Sequence, residues 1–69
     1  MQRRTLLAAL RGRFGLTREE MANKCNVNRN TYSQIEQGTT NGSVKFWQCL
    51  MIEFDLEPYQ LCEMMFEGI

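Results

Sequence analysis

The chain is predicted to be all-α, a compact set of five short helices, and three observations carry that expectation. Apolar residues recur three and four apart, β-branched residues are scattered and never alternate over a run, and helix start and stop signals follow one another closely.

Each element can be justified in turn. Leu6, Leu7, Leu10 and Phe14 give a first helix its apolar side, and Gly15 is placed to end it in the left-handed conformation. Gly12, inside that helix, costs about 1 kcal/mol relative to alanine. The run LTREEM then carries the strongest local signal: Thr17 as N-cap, Glu20 reaching back to its amide, and Leu16 and Met21 as a hydrophobic staple. A second helix therefore runs from Arg18 to about Cys25, burying Met21, Ala22 and Cys25. Asn26 stands where glycine would otherwise end it. Val27 and Tyr32 bracket Asn28 as a second staple around a second cap, opening a third helix from Arg29 to Gln37 that stops at Gly38. Its core anchors are Tyr32 and Ile35. Thr39 to Gly42 is a polar loop, Ser43 caps a fourth helix reaching about Phe54, and Pro58 begins a fifth with Leu56 and Leu61 as its staple. On the fourth helix Trp47, Leu50, Met51 and Phe54 form the core stripe.

Sixty-nine residues make one domain, 1–69, near the lower limit for folding on a single core. An apolar fraction of 43% speaks against disorder. No apolar run approaches the length of a membrane span, and Thr5 to Leu10 is too short for the apolar region of a secretion signal, so a cytoplasmic location is expected. Three cysteines without a C-x-x-C pair, and no histidine, cannot alone supply the roughly four closely spaced ligands of a structural zinc site. No metal or cofactor is expected. With no histidine, no Gly-rich phosphate loop and no nucleophile–base pair, neither is an enzyme; adjacent Glu19 and Glu20 point to different sides of a helix.

Net charge is zero, but its distribution is uneven. Through Gly38, seven basic residues face three acidic ones, a net +4; from Thr39 onward Lys45 alone faces five acids, a net −4. Such polarity suits one face that meets an anion and another that does not.

Two helices joined by a short turn, the first with a small alanine where the second must cross close, have the outline of a helix-turn-helix. The segment LTREEMANKCNVNRNTYSQIEQG resembles that of the phage Cro/C1-repressor family, also called the XRE family, and the similarity extends from about Leu10 to Leu61. Leu16, Thr17, Glu20, Ala22, Val27, Arg29, Ile35, Glu36 and Gly38 all fall where the family pattern expects them. The resemblance implies a lambda-repressor-like domain whose third helix enters the major groove of double-stranded DNA. Arg29, Asn30 and Gln34, with Ser33 beside them, hold the positions that would meet base edges, and their guanidinium and amide groups suit guanine and adenine. Arg18, Asn28, Thr31, Gln37, Thr39 and Asn41 are expected at the DNA backbone. Arg18 replaces the family's usual glutamine, which leaves open any contact between it and the third helix. The loop reads TTNG, uncharged where many relatives are basic, so the salt dependence of binding should be shallow. Arg11 and Glu36 resemble the family's internal salt bridge.

Relatives commonly dimerise through the C-terminal region. Phe46, Cys49 and Ile52 lie off the core stripe of the fourth helix, and Pro58, Tyr59, Met65 and Phe66 add apolar surface on the fifth; together they are expected to form a homodimer interface. The function expected is a sequence-specific DNA-binding transcriptional regulator, a repressor occupying a palindromic operator as a homodimer, with no membrane and no small-molecule ligand as partner. The alternative is a protein-interaction module, such as an antitoxin that kept the helix-turn-helix fold.

Overall fold

The computed structural model describes residues 3–67, and among them five α-helices and no strand form. α1 spans Thr5–Arg13, α2 Arg18–Lys24, α3 Arg29–Gln37, α4 Val44–Phe54 and α5 Pro58–Glu67. α2 packs on α3, α1 on α5 and α3, and α4 on α2 and α5, within extents of 25 × 24 × 22 Å.

Most helix starts are fixed by residues next to them in sequence. Thr17 Oγ1 accepts from the Glu20 amide at 3.1 Å while Glu20 Oε1 accepts from the Thr17 amide at 2.8 Å, the reciprocal bonds of a capping box. Asn28 Oδ1 accepts from the Thr31 amide at 2.7 Å, and Ser43 Oγ from the Phe46 amide at 3.1 Å. α1 differs. Its N-cap, Arg4, makes no capping bond, and the task falls to Glu67 at the far end of α5, whose carboxylate accepts from the Leu6 amide at 2.8 Å and from the Thr5 hydroxyl.

The helix ends repeat one device. Gly15, Asn26, Gly38 and Asp55 all take positive φ, and each time the following amide donates back across the last turn: Leu16 to Arg11 O, Val27 to Ala22 O, Thr39 to Gln34 O and Leu56 to Met51 O. The sequence marks the first three stops with glycine or asparagine. Asp55 is the unmarked one.

Leu7, Leu10, Met21, Ala22, Cys25, Tyr32, Ile35, Phe46, Trp47, Leu50 and Met64 form the core, with Leu16, Val27, Phe54, Leu56, Leu61 and Met65 half-buried against it. Three expectations need correction. Leu6 and Phe14 are exposed, because the inward line of α1 runs through Leu7, Leu10 and Arg11; Phe14 rests instead on Phe54, ring centroids 5.0 Å apart. Phe46 is 1% exposed and is core, not interface. It lies four residues before Leu50, on the stripe that Trp47 also serves, edge-on to Trp47 at 5.0 Å and 6.3 Å from the Tyr32 ring. Cys49 and Met65 are half-buried, and the Cys49 thiol donates inward to Lys24 O at 3.3 Å. Neither lies on the fully exposed outer face expected of it.

Arg4, one of the seven basic residues of the first half, is 1% exposed. Its Nη1 donates to Ile35 O at 2.7 Å and Thr40 O at 2.9 Å, its Nη2 to Asn41 Oδ1 and Met65 O, and its own amide to Glu36 O at 2.8 Å. The guanidinium also sits 5.4 Å from the centre of the Trp47 ring.

Candidate nucleic-acid interface

The site is built on the α2–turn–α3 unit. α2 begins where the capping box fixes it, and buried Ala22 leaves room for α3 to cross close by. Cys25, Asn26 and Val27 make the turn, and Asn28 opens α3. Tyr32, Ile35 and Glu36 turn inward. Arg29, Asn30, Gln34 and Gln37 are therefore left exposed, while Thr31 and Ser33 are half-buried at the edges of that face.

Behind the face stands a buried ion cluster. Glu36 is fully buried, and its carboxylate accepts from the Tyr32 hydroxyl at 2.6 Å, Arg11 Nε at 3.0 Å and Arg11 Nη2 at 3.4 Å. Arg18 Nε lies 3.3 Å from Oε1, the oxygen that also accepts from Arg11 Nη2. Arginine at position 18 thus does reach α3, the contact the sequence left open. Arg11 also donates to Leu16 O at 3.1 Å, tying α1 to the entry of α2. Burial pushes the Glu36 carboxyl up, but hydrogen bonds from Arg11 and Tyr32 and the charges of Arg11 and Arg18 prevail, holding it below the ordinary carboxylate value. Arg11 is raised in turn, chiefly by its hydrogen bond to Glu36. Burial, then the Glu36 carboxylate, push the Tyr32 hydroxyl up, so it stays a donor.

Arg29 and Arg18 come together with Arg11, Thr17 and Glu19 around an open concavity of about 610 Å³ beside α3. Several residues expected at a DNA backbone carry structural duties already. Asn28 caps α3 with its side-chain oxygen, Thr39 Oγ1 donates to Gln34 O at 3.0 Å, and Asn41 accepts from Arg4 through its side chain and from Trp47 Nε1 through its carbonyl at 2.9 Å. Their remaining polar atoms are what the outer surface can use. Gln37 has no such duty and is exposed.

The electrostatics are milder than the sequence total. Arg4, Arg11 and Arg18 are engaged within the fold, which leaves Arg3, Arg13, Lys24 and Arg29 as exposed cations of the first half, against exposed Glu19 and Glu20. Sequence reasoning missed Arg4, although a signal was present: residues 4, 7 and 11 share one side of a helix, and Leu7 is fully buried. Among the described residues no group of histidine, cysteine or acidic side chains is arranged to hold a metal. Among the described residues no helix is long and apolar enough to cross a membrane.

A family model described as a helix-turn-helix domain matches residues 4–50, from the buried Arg4 to the core Leu50 of α4. No curated protein and no solved structure matches the chain.

Proposed function

The chain belongs to the helix-turn-helix domain family, and from that premise we propose that it is a sequence-specific transcriptional regulator of the Cro/C1-repressor type. α3 lies in the major groove, a homodimer engages a palindromic operator, and occupancy of that site represses. One observation carries the reading: Arg29, Asn30, Gln34 and Gln37 are exposed on a helix whose opposite side is locked by Tyr32, Ile35 and the Glu36 cluster. A rigid helix bearing bidentate donors and acceptors suits base edges, where each good pair discriminates by about 1–3 kcal/mol. Arg29 and Asn30, in the first turn, and Gln34 are assigned to bases, with Ser33 at the margin. Arg18, Asn28, Thr31, Gln37, Thr39 and Asn41 are assigned to the backbone through the polar atoms left free. In this reading residues 1–69 act as a single domain.

Selection of binding sites from random DNA tests the reading. The wild type should enrich a two-fold symmetric motif, and Gln34→Ala should relax one position of each half-site while the others persist. No enrichment at any salt concentration, or an identical motif from Gln34→Ala, would overturn the assignment.

A second reading is favoured by a different observation, the exposure of Ile52, Tyr59 and Phe66 on α4 and α5. If that surface engages an unrelated protein rather than a second copy, the domain is an interaction module such as an antitoxin. Its signature is a tight hetero-complex together with absent DNA binding.

A further inference from the structure

We infer that Arg4 is a positioning residue of the DNA interface, a buried cation that fixes the last turn of α3 and the Thr39–Gly42 loop relative to α5. This rests on the reading of α3 as the DNA-reading helix.

The bonds of Arg4 converge on that segment. Its Nη1 takes Ile35 O, the same carbonyl that accepts the Gly38 amide at 3.1 Å in the left-handed turn ending α3. Its amide takes Glu36 O, the next orphan carbonyl at the helix end. The same Nη1 takes Thr40 O, and Nη2 takes Asn41 Oδ1 and, across the molecule, Met65 O of α5. A cation at a helix C-terminus is favoured by the helix dipole, and its bonds to carbonyls are charge-assisted. Trp47 completes the clamp, with its ring beneath the guanidinium and its Nε1 on Asn41 O. The loop also has little room to move inward: a Cβ on Gly42 would stand 3.1 Å from Trp47 Nε1 and 3.2 Å from Ile35 Cδ1.

A buried arginine is a costly way to join two helices, since its Nε has no partner. Apolar residues could fill the same volume, but none could bind Ile35 O, Thr40 O and Met65 O together, because that requires a planar fork of donors. What the fork secures is the path of a loop with no charge of its own and two exposed polar members, Thr39 and Asn41. Such a loop meets a phosphate only through backbone amides and short side chains, whose reach is set by where the chain is held.

Arg4→Lys separates positioning from mere stability. Lysine keeps the charge and the aliphatic stem but cannot fork. The readouts are native-state amide exchange at Gly38 and Thr39 and the affinity, over a range of salt concentrations, for the DNA site selected by the wild type. Trimethylamine oxide can be added if the variant is marginally folded. Exchange at these two amides should rise about tenfold or more beyond any rise at Tyr32, as lost charge-assisted bonds imply. Affinity corrected for the folded fraction should fall about tenfold at every salt concentration while the salt slope stays the same, because the loop carries no cation whose contact would release counterions. The motif selected by the variant should keep its base preferences. Exchange at Gly38 and Thr39 rising only in step with Tyr32, or an unchanged affinity, would overturn the inference. A wild type that binds no DNA would instead sink the proposed function, and the exchange data would still decide whether Arg4 holds the loop.

Discussion

At the scale of single residues, Glu36 shows how one side chain of the proposed DNA-reading helix can be turned wholly away from its exposed face. Its carboxylate is sealed beneath α3 by Tyr32, Arg11 and Arg18, on the side away from the exposed Asn30 and Gln34. Removing one member of a buried ion pair leaves the others uncompensated, at about 3–5 kcal/mol, against about 3–10 kcal/mol of total stability for a chain of this size. Glu36→Ala should therefore lower the urea midpoint sharply, while affinity corrected for the folded fraction changes less than the folding constant does. An unchanged midpoint would contradict this. The cluster also makes a pH prediction. The folded carboxyl lies below its ordinary value of 4.5, so its stabilisation is complete above that value and is lost as pH falls through the folded one. In acid titrations followed by denaturant melts, Glu36→Gln should start less stable at neutral pH and lose less than the wild type below about pH 4.5. Parallel acid limbs in the two proteins would show that other carboxylates govern the loss. The Cys25 thiol, pushed up to about 12 by burial and by nearby Cys49 and Glu53, stays protonated throughout that range and adds nothing to it.

At the scale of elements, helix boundaries were legible because the groups that set them are neighbours in the chain. Thr17 with Glu20, Asn28 with Thr31 and Ser43 with Phe46 are each three residues apart, within reach of one turn. Thr17→Ala should cost about 1 kcal/mol in a denaturant melt, and a loss below a few tenths would mean that packing alone holds the start of α2. Asp55 is the weak stop: its φ of 52° suits glycine or asparagine better, and its negative charge sits at the negative end of the α4 dipole. Asp55→Asn should stabilise the fold by a few tenths of a kcal/mol or more and so raise the melting midpoint; a lower midpoint would reveal a favourable partner for the aspartate. What the sequence did not disclose is non-local. Arg4 reaches Ile35, Thr40 and Met65 across separations of 31 to 61 residues, and Glu67 caps α1 from the other end of the chain. Phe46 falls outside an apolar stripe that begins at Trp47, yet α4 is wedged deeply enough for Phe46 and Trp47 to be buried side by side. The exposed face of α3 was easier to foresee, since its polar residues are what remains once Tyr32 and Ile35 are turned in.

At the scale of the whole molecule, the open question is what covers the second half. Ile52, Tyr59 and Phe66 are 76%, 64% and 66% exposed, on a half whose sequence carries a net negative charge. A specific interface buries about 800 Å² per partner, roughly a sixth of this chain's 4497 Å² surface. The outer face of α5, with Tyr59 and Phe66 two turns apart, is too narrow to provide that alone, so the outer face of α4 with Ile52 must contribute. Apolar burial must also outweigh the repulsion of two acidic halves, which makes self-association stronger as salt rises, whereas DNA binding weakens. Sedimentation of the wild type at rising salt should thus show a growing share of particles with twice the 8.1 kDa chain mass. Phe66→Glu should remain monomeric and fully folded, because Phe66 lies outside the core. On a symmetric site, linking two half-site contacts raises affinity by about 10²–10⁴-fold over one. Phe66→Glu should lose a factor of that order on the full site while binding an isolated half-site as the wild type does. Equal affinities of the two proteins for the full site, with both monomeric at every salt concentration, would assign Ile52, Tyr59 and Phe66 to a partner other than a second copy.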